Sequence, residues 1–265
     1  MSARGCALDR IDAMEIMASL TLANSHPTLL RVLEPGMSVL DVGCGPGTLT
    51  AEIARRVDRA AVIGIDANPE MIRAAEDARP PGAIPNLIFY AGDIRESDWQ
   101  EEFDVVNAAR TLQWIPDPIV ALRRMVSAAV VGGLVVVLDV DHTRADWSDP
   151  PGAWTRFHRA FLEWRASCRL DNALGRHLAL LCGEAGLVET ASTSAATTVR
   201  ADDHDFFRAA GRWRMMIESR GRQMVAAGYL AEMDRREAFD AFTEWMQTPN
   251  ATQTVHETCI VARRP

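Results

Sequence analysis

The 265-residue chain contains no C-x-x-C pair; its five cysteines, Cys6, Cys44, Cys168, Cys182 and Cys259, are odd in number and scattered. That excludes a disulfide framework or a cysteine-ligated zinc as the organising device and points to a reducing cytoplasm. Basic excess is also missing. The formal net charge is −8 and no basic cluster stands out, whereas a nucleic-acid binder needs a positive face to release phosphate counterions. Nucleic acid is therefore not an expected partner. The most apolar stretch, Ala128 to Leu138, falls well short of the ~20 residues of a spanning helix. Early charges at Arg4, Asp9 and Arg10 replace the apolar core of a secretory signal, so a cytoplasmic chain without a membrane partner is expected. Internal repeats and low-complexity segments are lacking as well.

What is present is enough apolar material, 48% of the residues, to bury one large α/β core, so a single domain over 1–265 is expected. From about residue 38 to 141 short β-branched runs alternate with helical segments, the pattern of a parallel sheet covered on both faces. The runs predict strands at Ser38–Val42, Ala61–Ile65, Leu87–Ala91, Asp104–Ala108 and Leu134–Asp139. Between them, Leu49, Ile53 and Val57, and again Ile119, Leu122 and Val126, recur at helical spacing. Asn68-Pro69 and Asp117-Pro118 each place a capping side chain before a proline at the first helical position. Ile11, Met14, Ala18 and Leu22 predict an N-terminal helix within residues 1–34, ahead of a core over 35–145.

After Asp141 rings accumulate at helical spacing: Trp154, Phe157, Phe161 and Trp164, then Phe206, Ala210 and Trp213, then Phe239, Phe242 and Trp245. They predict helices over the sheet in 151–186 and a helical lid insertion in 202–248, between strands within Val188–Val199 and near Thr254–Ala262. The expected fold is a doubly wound, mostly parallel seven-stranded sheet.

The strongest local signal is Val39-Leu40-Asp41-Val42-Gly43-Cys44-Gly45-Pro46-Gly47-Thr48, a strand running through three glycines into a helix. Such a turn lets a ligand approach the backbone closely, because a Cβ there would block it. Dinucleotide proteins share glycine-rich turns, but their spacing is G-x-G-x-x-G. Here it is G-x-G-x-G, with Asp41 two residues ahead, a poor neighbour for a pyrophosphate.

From Leu33 to Asp141 the sequence resembles, in register, the class I S-adenosylmethionine-dependent methyltransferases. Four ordered motifs carry the resemblance: the glycine turn, Val62-Ile63-Gly64-Ile65-Asp66, Ala91-Gly92-Asp93-Ile94, and Phe103-Asp104-Val105-Val106-Asn107. The run from Leu112-Gln113-Trp114 to Ile115-Pro116-Asp117-Pro118, with Gly132-Gly133 before the fifth strand, resembles the ubiquinone/menaquinone-biosynthesis-type branch, which holds many bacterial small-molecule methyltransferases. The resemblance implies S-adenosyl-L-methionine as cofactor and S-adenosyl-L-homocysteine as product. It places Asp41, Gly43, Gly45 and Gly47 at the methionine portion and gives Asp66 the two ribose hydroxyls, with Ala67 beside it. It also sets Met71, Gly92, Asp93 and Ile94 around the adenine, and Asn107 and Arg110 at the end of strand four.

The sulfonium methyl is already electrophilic, so catalysis needs chiefly in-line orientation and exclusion of water; a base is optional. Ligands of open α/β sheets sit beyond the strands' carboxyl ends, which singles out Arg110, Gln113 and Trp114 after strand four and Asp141 and His142 after strand five. Asp139 and Asp141 share one strand face, and His142, supported by Asp141, is the candidate base or substrate anchor, with Arg110 assisting. No metal is expected, since Asn107-Ala108-Ala109-Arg110 supplies no second acidic arm. His158 and His256 are expected to serve packing or solvent. The Asn/Asp-Pro-Pro-Tyr/Phe motif of nucleic-acid amino-methylating enzymes and the paired glutamates of protein-arginine enzymes are both absent.

A small, largely apolar or aromatic acceptor is the expected substrate, contacted by Gln113, Trp114, Trp154, Phe157, Phe206 and Trp213. Methylation at O, N or C stays open, as does a monomer or a homodimer. Three alternatives remain: cyclisation or rearrangement on the same bound cofactor, a nicotinamide oxidoreductase, and a binding protein with a vestigial pocket.

Overall fold

The computed structural model describes residues 20–79 and 84–265. Ile11, Met14 and Ala18 of the expected N-terminal stripe lie outside them; Leu22 opens the first helix among the described residues. In chain order the elements are α1 (Leu22–Ser25), α2 (Pro27–Val32), β1 (Val39–Val42), α3 (Thr48–Arg56), β2 (Val62–Asp66), α4 (Pro69–Asp77), β3 (Leu87–Ala91), β4 (Phe103–Ala109), α5 (Pro118–Ala128) and β5 (Ala129–Trp147). There follow α6 (Gly152–Ser167), α7 (Leu174–Glu184), β6 (Val188–Arg200), α8 (Phe206–Ala226), α9 (Glu232–Trp245) and β7 (Thr252–Arg263), with 3-10 turns at Ile94–Glu96 and Leu112–Trp114.

The strands form one seven-stranded sheet in the order β3-β2-β1-β4-β5-β7-β6. β1 pairs in parallel with β2 and β4, β2 with β3, and β4 with β5. β7 runs the other way: Gly132 N–H donates to Arg264 O at the start of β5, and Ser148 N–H to Thr252 O past its end. The sheet is therefore mixed, with its reversal beside β5.

The chain divides into two compact units. The larger comprises Leu20–Asp141, Ala173–Ala195 and Glu257–Pro265. Its two hydrophobic clusters take alternate residues of the strands, which point to opposite sheet faces. Leu40, Val106, Val135, Val137 and Ile260 face α5 and α7 through Leu122, Met125, Leu174 and Leu178. Val39, Val62, Val105, Val136 and Val261 face α2, α3 and α4 through Leu29, Ile53 and Ile72. α7 lies close on β5: a Cβ on Gly175 would come within 2.9 Å of Asp139 O.

The smaller unit includes His142–Asn172 and Ala196–His256. Its interior is built from the rings of α6, α8 and α9: Trp154, Phe157, Phe161 and Phe242 are fully buried against one another, and the fully buried Phe206 packs on Trp245, which stacks on Phe242. Gly221 on α8 permits this packing, since a Cβ there would press on Arg235 and Phe157.

Two sequence expectations need correction. Asp117 does not cap α5 through its side chain, whereas Asn68 accepts from Glu70 N–H at the start of α4. β5 runs from Ala129 to Trp147 rather than over Leu134–Asp139, because pairing with β7 carries it past its polar residues.

Candidate active site at the carboxyl ends of the strands

The glycine turn follows β1 directly. Gly43 and Cys44 N–H both donate to Ile65 O, at 2.7 and 3.1 Å, closing the turn onto β2. Gly43, Gly45 and Gly47 have φ of +72°, +54° and +75°, the left-handed region where a Cβ is strained. Two of these glycines also serve internal packing, which the sequence did not reveal. A Cβ on Gly43 would run into the Thr111 side chain, and one on Gly47 into the Phe89 ring and Ala75. Gly45 differs in that its N–H is turned to Asp66, donating to Oδ2 at 2.9 Å.

Asp66 ends β2 with its second oxygen accepting from Asn68 N–H at 2.8 Å. Its carboxylate joins the glycine turn to the start of α4, and each oxygen keeps a further lone pair for a hydroxyl donor. Ala67 is exposed, Met71 and Gly92 are half-buried and Ile94 is buried. Asp93 is gripped by Arg95, whose Nη2 lies 2.6 Å from Oδ2 and whose Nε reaches both oxygens at 3.0 Å. Those hydrogen bonds hold the Asp93 carboxyl below the usual range.

Beneath the turn lies a buried polar chain that sequence reading found in part. Asp41 accepts from Thr50 Oγ1 and from Asn107 Nδ2, each at 2.7 Å. Burial pushes its pKa upward, and these two donors oppose that. Asn107 Oδ1 faces His26 Nε2 at 3.0 Å, and His26 Nδ1 accepts from Leu29 N–H. Burial, then the nearby Arg110, lower the His26 pKa to about 4, so the ring is neutral with its proton on Nε2. Sequence reading missed His26: Pro27 after it marks a helix start, but its partner lies 81 residues on, where no local signal reaches.

Arg110 sits just past β4 with φ of +56°. It pairs with Glu257 on β7 through Nε at 2.5 Å and Nη2 at 2.9 Å, and donates to Ser25 Oγ and O. Gln113 N–H donates to the buried Asp139 Oδ2 and Gln113 Nε2 to Arg110 O; Trp114 is half-buried. In the parallel register Ala109 stands opposite Leu138, which sets Asp139, Asp141 and His142 beyond the level where β4 ends.

The expected support of His142 by Asp141 takes another form. Asp141 lies 2.7 Å from Arg176 Nε of α7, while the next residue along the strand points the opposite way. His142, in the smaller unit, is buried edge-on to Phe161 and Trp213. Burial, with Arg165 and His158 nearby, drives its pKa well below 6.5. Trp154, Phe157 and Phe206, expected at the acceptor, are enclosed in the interior of that unit, and Trp213 packs on Trp147, Trp154 and His158. Among the described residues no cluster of three or more His, Cys, Asp or Glu side chains is arranged to hold a metal, and no helix is long and apolar enough to cross a membrane.

The strand order, the left-handed glycine turn and the acid closing β2 together define the class I, S-adenosylmethionine-dependent methyltransferase fold. The residues at the turn fit that cofactor: a turn that bears no side chain at Gly43, Gly45 and Gly47, and an acceptor-only carboxylate for hydroxyl donors. A family model described as a methyltransferase domain matches residues 33–180, more than half of the chain, and the chain belongs to that family.

Trans-aconitate 2-methyltransferase of Escherichia coli is 30% identical over 138 residues, 52% of this chain and 47% of that protein. The protein of the same name from Methylobacterium radiotolerans is 36% identical over 110 residues, 41% and 40% of the two chains. The match thus spans about half the length of these relatives or less. Among solved structures, a protein from Bacillus halodurans described as a putative methyltransferase aligns over 90% of this chain and 98% of its own, with a TM-score of 0.59 and 14% identity. The [4+2]-cyclase SpnF aligns over 88% and 76%, with a TM-score of 0.57 and 18% identity. At these identities the structures speak for the fold.

Proposed function

We propose that the protein transfers the methyl group of S-adenosyl-L-methionine to a small-molecule acceptor and releases S-adenosyl-L-homocysteine. The observation that carries the reading is the coupling of Gly45 N–H to Asp66, which gives a bare backbone turn and a ribose-binding carboxylate one shared geometry. When bound, the cofactor supplies an electrophilic methyl group, so the protein's task is to orient an acceptor and exclude water. The cofactor residues are the glycine turn, Asp66 with Ala67 and Met71, and Gly92, Asp93 and Ile94, with Asp41 and Asn107 supporting the turn from beneath.

On the acceptor side the reading takes Arg110, Gln113 and Trp114, past β4 in the larger unit. Taken by itself, the smaller unit, with His142 and Trp213 among its many rings, favours a small, largely apolar or aromatic acceptor. Trp154 packs directly on Trp213, Phe157 backs Trp154, and Phe206 packs on Trp245 elsewhere in the interior. His142 is kept neutral by its surroundings and serves better as an anchor than as a strong base. The relatives' acceptor, trans-aconitate, belongs in any substrate screen, but the matched length leaves about half of each chain unaligned.

The test is a metabolite screen with methyl-labelled donor, read by mass spectrometry. Labelled product with stoichiometric S-adenosylhomocysteine is expected. Turnover of an acceptor without S-adenosylhomocysteine would instead assign the cyclisation chemistry.

A further inference from the structure

We propose that His26 is a positioning residue of the cofactor site: its ring orients the Asn107 amide, and that amide in turn orients Asp41 beneath the glycine turn. The proposal rests on reading the turn as the cofactor site. Every link lies within the larger unit. Leu29 N–H donates to His26 Nδ1 at 3.4 Å, leaving Nε2 to carry the proton. Nε2–H is then the donor to Asn107 Oδ1 at 3.0 Å. With its oxygen held there, Asn107 turns Nδ2 to Asp41 Oδ1 at 2.7 Å. Flipped by half a turn, the amide would set its oxygen against the Asp41 carboxylate, which accepts only, and its NH2 against a donor.

Asp41 stands two residues ahead of Gly43 on β1, and all four side chains of the chain, His26, Asn107, Asp41 and Thr50, are buried. A buried carboxylate with one donor removed must relax or neutralise, and the strand it is attached to runs two residues on into the turn. The segment bearing His26 is held in place independently. Leu22 N–H donates to Glu52 Oε2 at 2.7 Å, and Arg110 Nη1 to Ser25 Oγ at 3.0 Å. Residue 26 is thus presented to Asn107 as a fixed donor rather than a mobile one.

His26 has two bonds, and two substitutions separate them. His26→Asn places its polar group at the position of Nδ1, keeping the cap on α2 and losing Asn107. His26→Gln reaches the position of Nε2, keeping Asn107 and losing the cap. The measurement is the dissociation constant for S-adenosylhomocysteine by calorimetry on the full chain, with melting temperature recorded in parallel. Expected are affinity within about threefold of wild type for His26→Gln and a loss of about tenfold or more for His26→Asn. Thr50→Val, which leaves residue 26 untouched and removes the other donor to Asp41, is expected to weaken binding in the same direction.

Wild-type affinity in His26→Asn, or rescue by Asn and not by Gln, overturns the proposal and reduces His26 to a helix cap. Wild-type affinity in Thr50→Val contradicts the relay even if the residue-26 variants are unstable. A wild-type chain that does not bind S-adenosylhomocysteine at all refutes the reading of the site itself, a different failure.

Discussion

At the scale of single residues, some polar groups are committed to the fold and others remain for a ligand. Asp66 spends one lone pair of each oxygen on backbone N–H groups of Gly45 and Asn68. Asp66→Ala should remove both that brace and the ribose acceptors, weakening cofactor binding by about 1.5–3 kcal/mol, roughly ten- to a hundredfold. Calorimetry with S-adenosylhomocysteine checks it, and an unchanged constant would take Asp66 out of the site. Gly43 behaves differently because its missing Cβ makes room for Thr111, which donates to Val42 O at 3.1 Å. Gly43→Ala is expected to destabilise the fold by about 1–3 kcal/mol through overpacking and backbone strain, measured as a lower urea midpoint. His142→Ala should raise the Michaelis constant for the acceptor more than it lowers kcat, because a neutral ring held between Phe161 and Trp213 suits anchoring. The reverse pattern would restore it as a base.

At the scale of elements, the strands under the cofactor were legible because β-branched runs and proline-marked helix starts are local signals. β3 falls where expected, Leu87–Ala91, and β1, β2 and β4 differ by a residue at their ends. β5 was misjudged because its length is a property of its pairing: Asp139-Val140-Asp141-His142 looks like a strand end in sequence, yet these residues stay buried in the ladder. The glycine turn and Asp66 could be read from one stretch of chain each. The contacts of His26 with Asn107, Arg110 with Glu257 and Asp141 with Arg176 join residues 35 to 147 positions apart, and no periodicity encodes them. The close approach of α7 to β5 belongs to the same category. Gly175→Leu should force α7 away from Asp139 and Asp141, costing about 1–3 kcal/mol. A stability unchanged by the substitution would show that α7 is free to shift.

Taken over the whole molecule, buried histidines set a pH dependence. His26 and His158 have pKa values lowered from 6.5 to about 4, chiefly by burial, and burial also drives His142 well below 6.5. The unfolded chain therefore binds protons between pH 6.5 and 4 that the folded chain refuses. Their contribution to stability is complete above pH 6.5 and is lost as pH falls through that window, up to about 3 kcal/mol apiece for His26 and His158. Asp41, whose pKa is raised, works in the opposite sense, so the comparison of wild type with His158→Phe isolates the imidazole. The variant should lose stability less steeply between pH 6.5 and 4, by up to about one proton per chain; identical slopes would mean that His158 titrates normally in the fold. The central claim is more direct: the chain holds S-adenosylmethionine against a bare turn at Gly45. Calorimetry of S-adenosylhomocysteine against the wild-type chain and against Gly45→Val tests it. The variant should keep its circular dichroism spectrum, with about 1–2 kcal/mol of strain from the left-handed backbone, and lose measurable binding, while the wild type binds at a single site. Normal binding by Gly45→Val, or none by the wild type, would contradict the account.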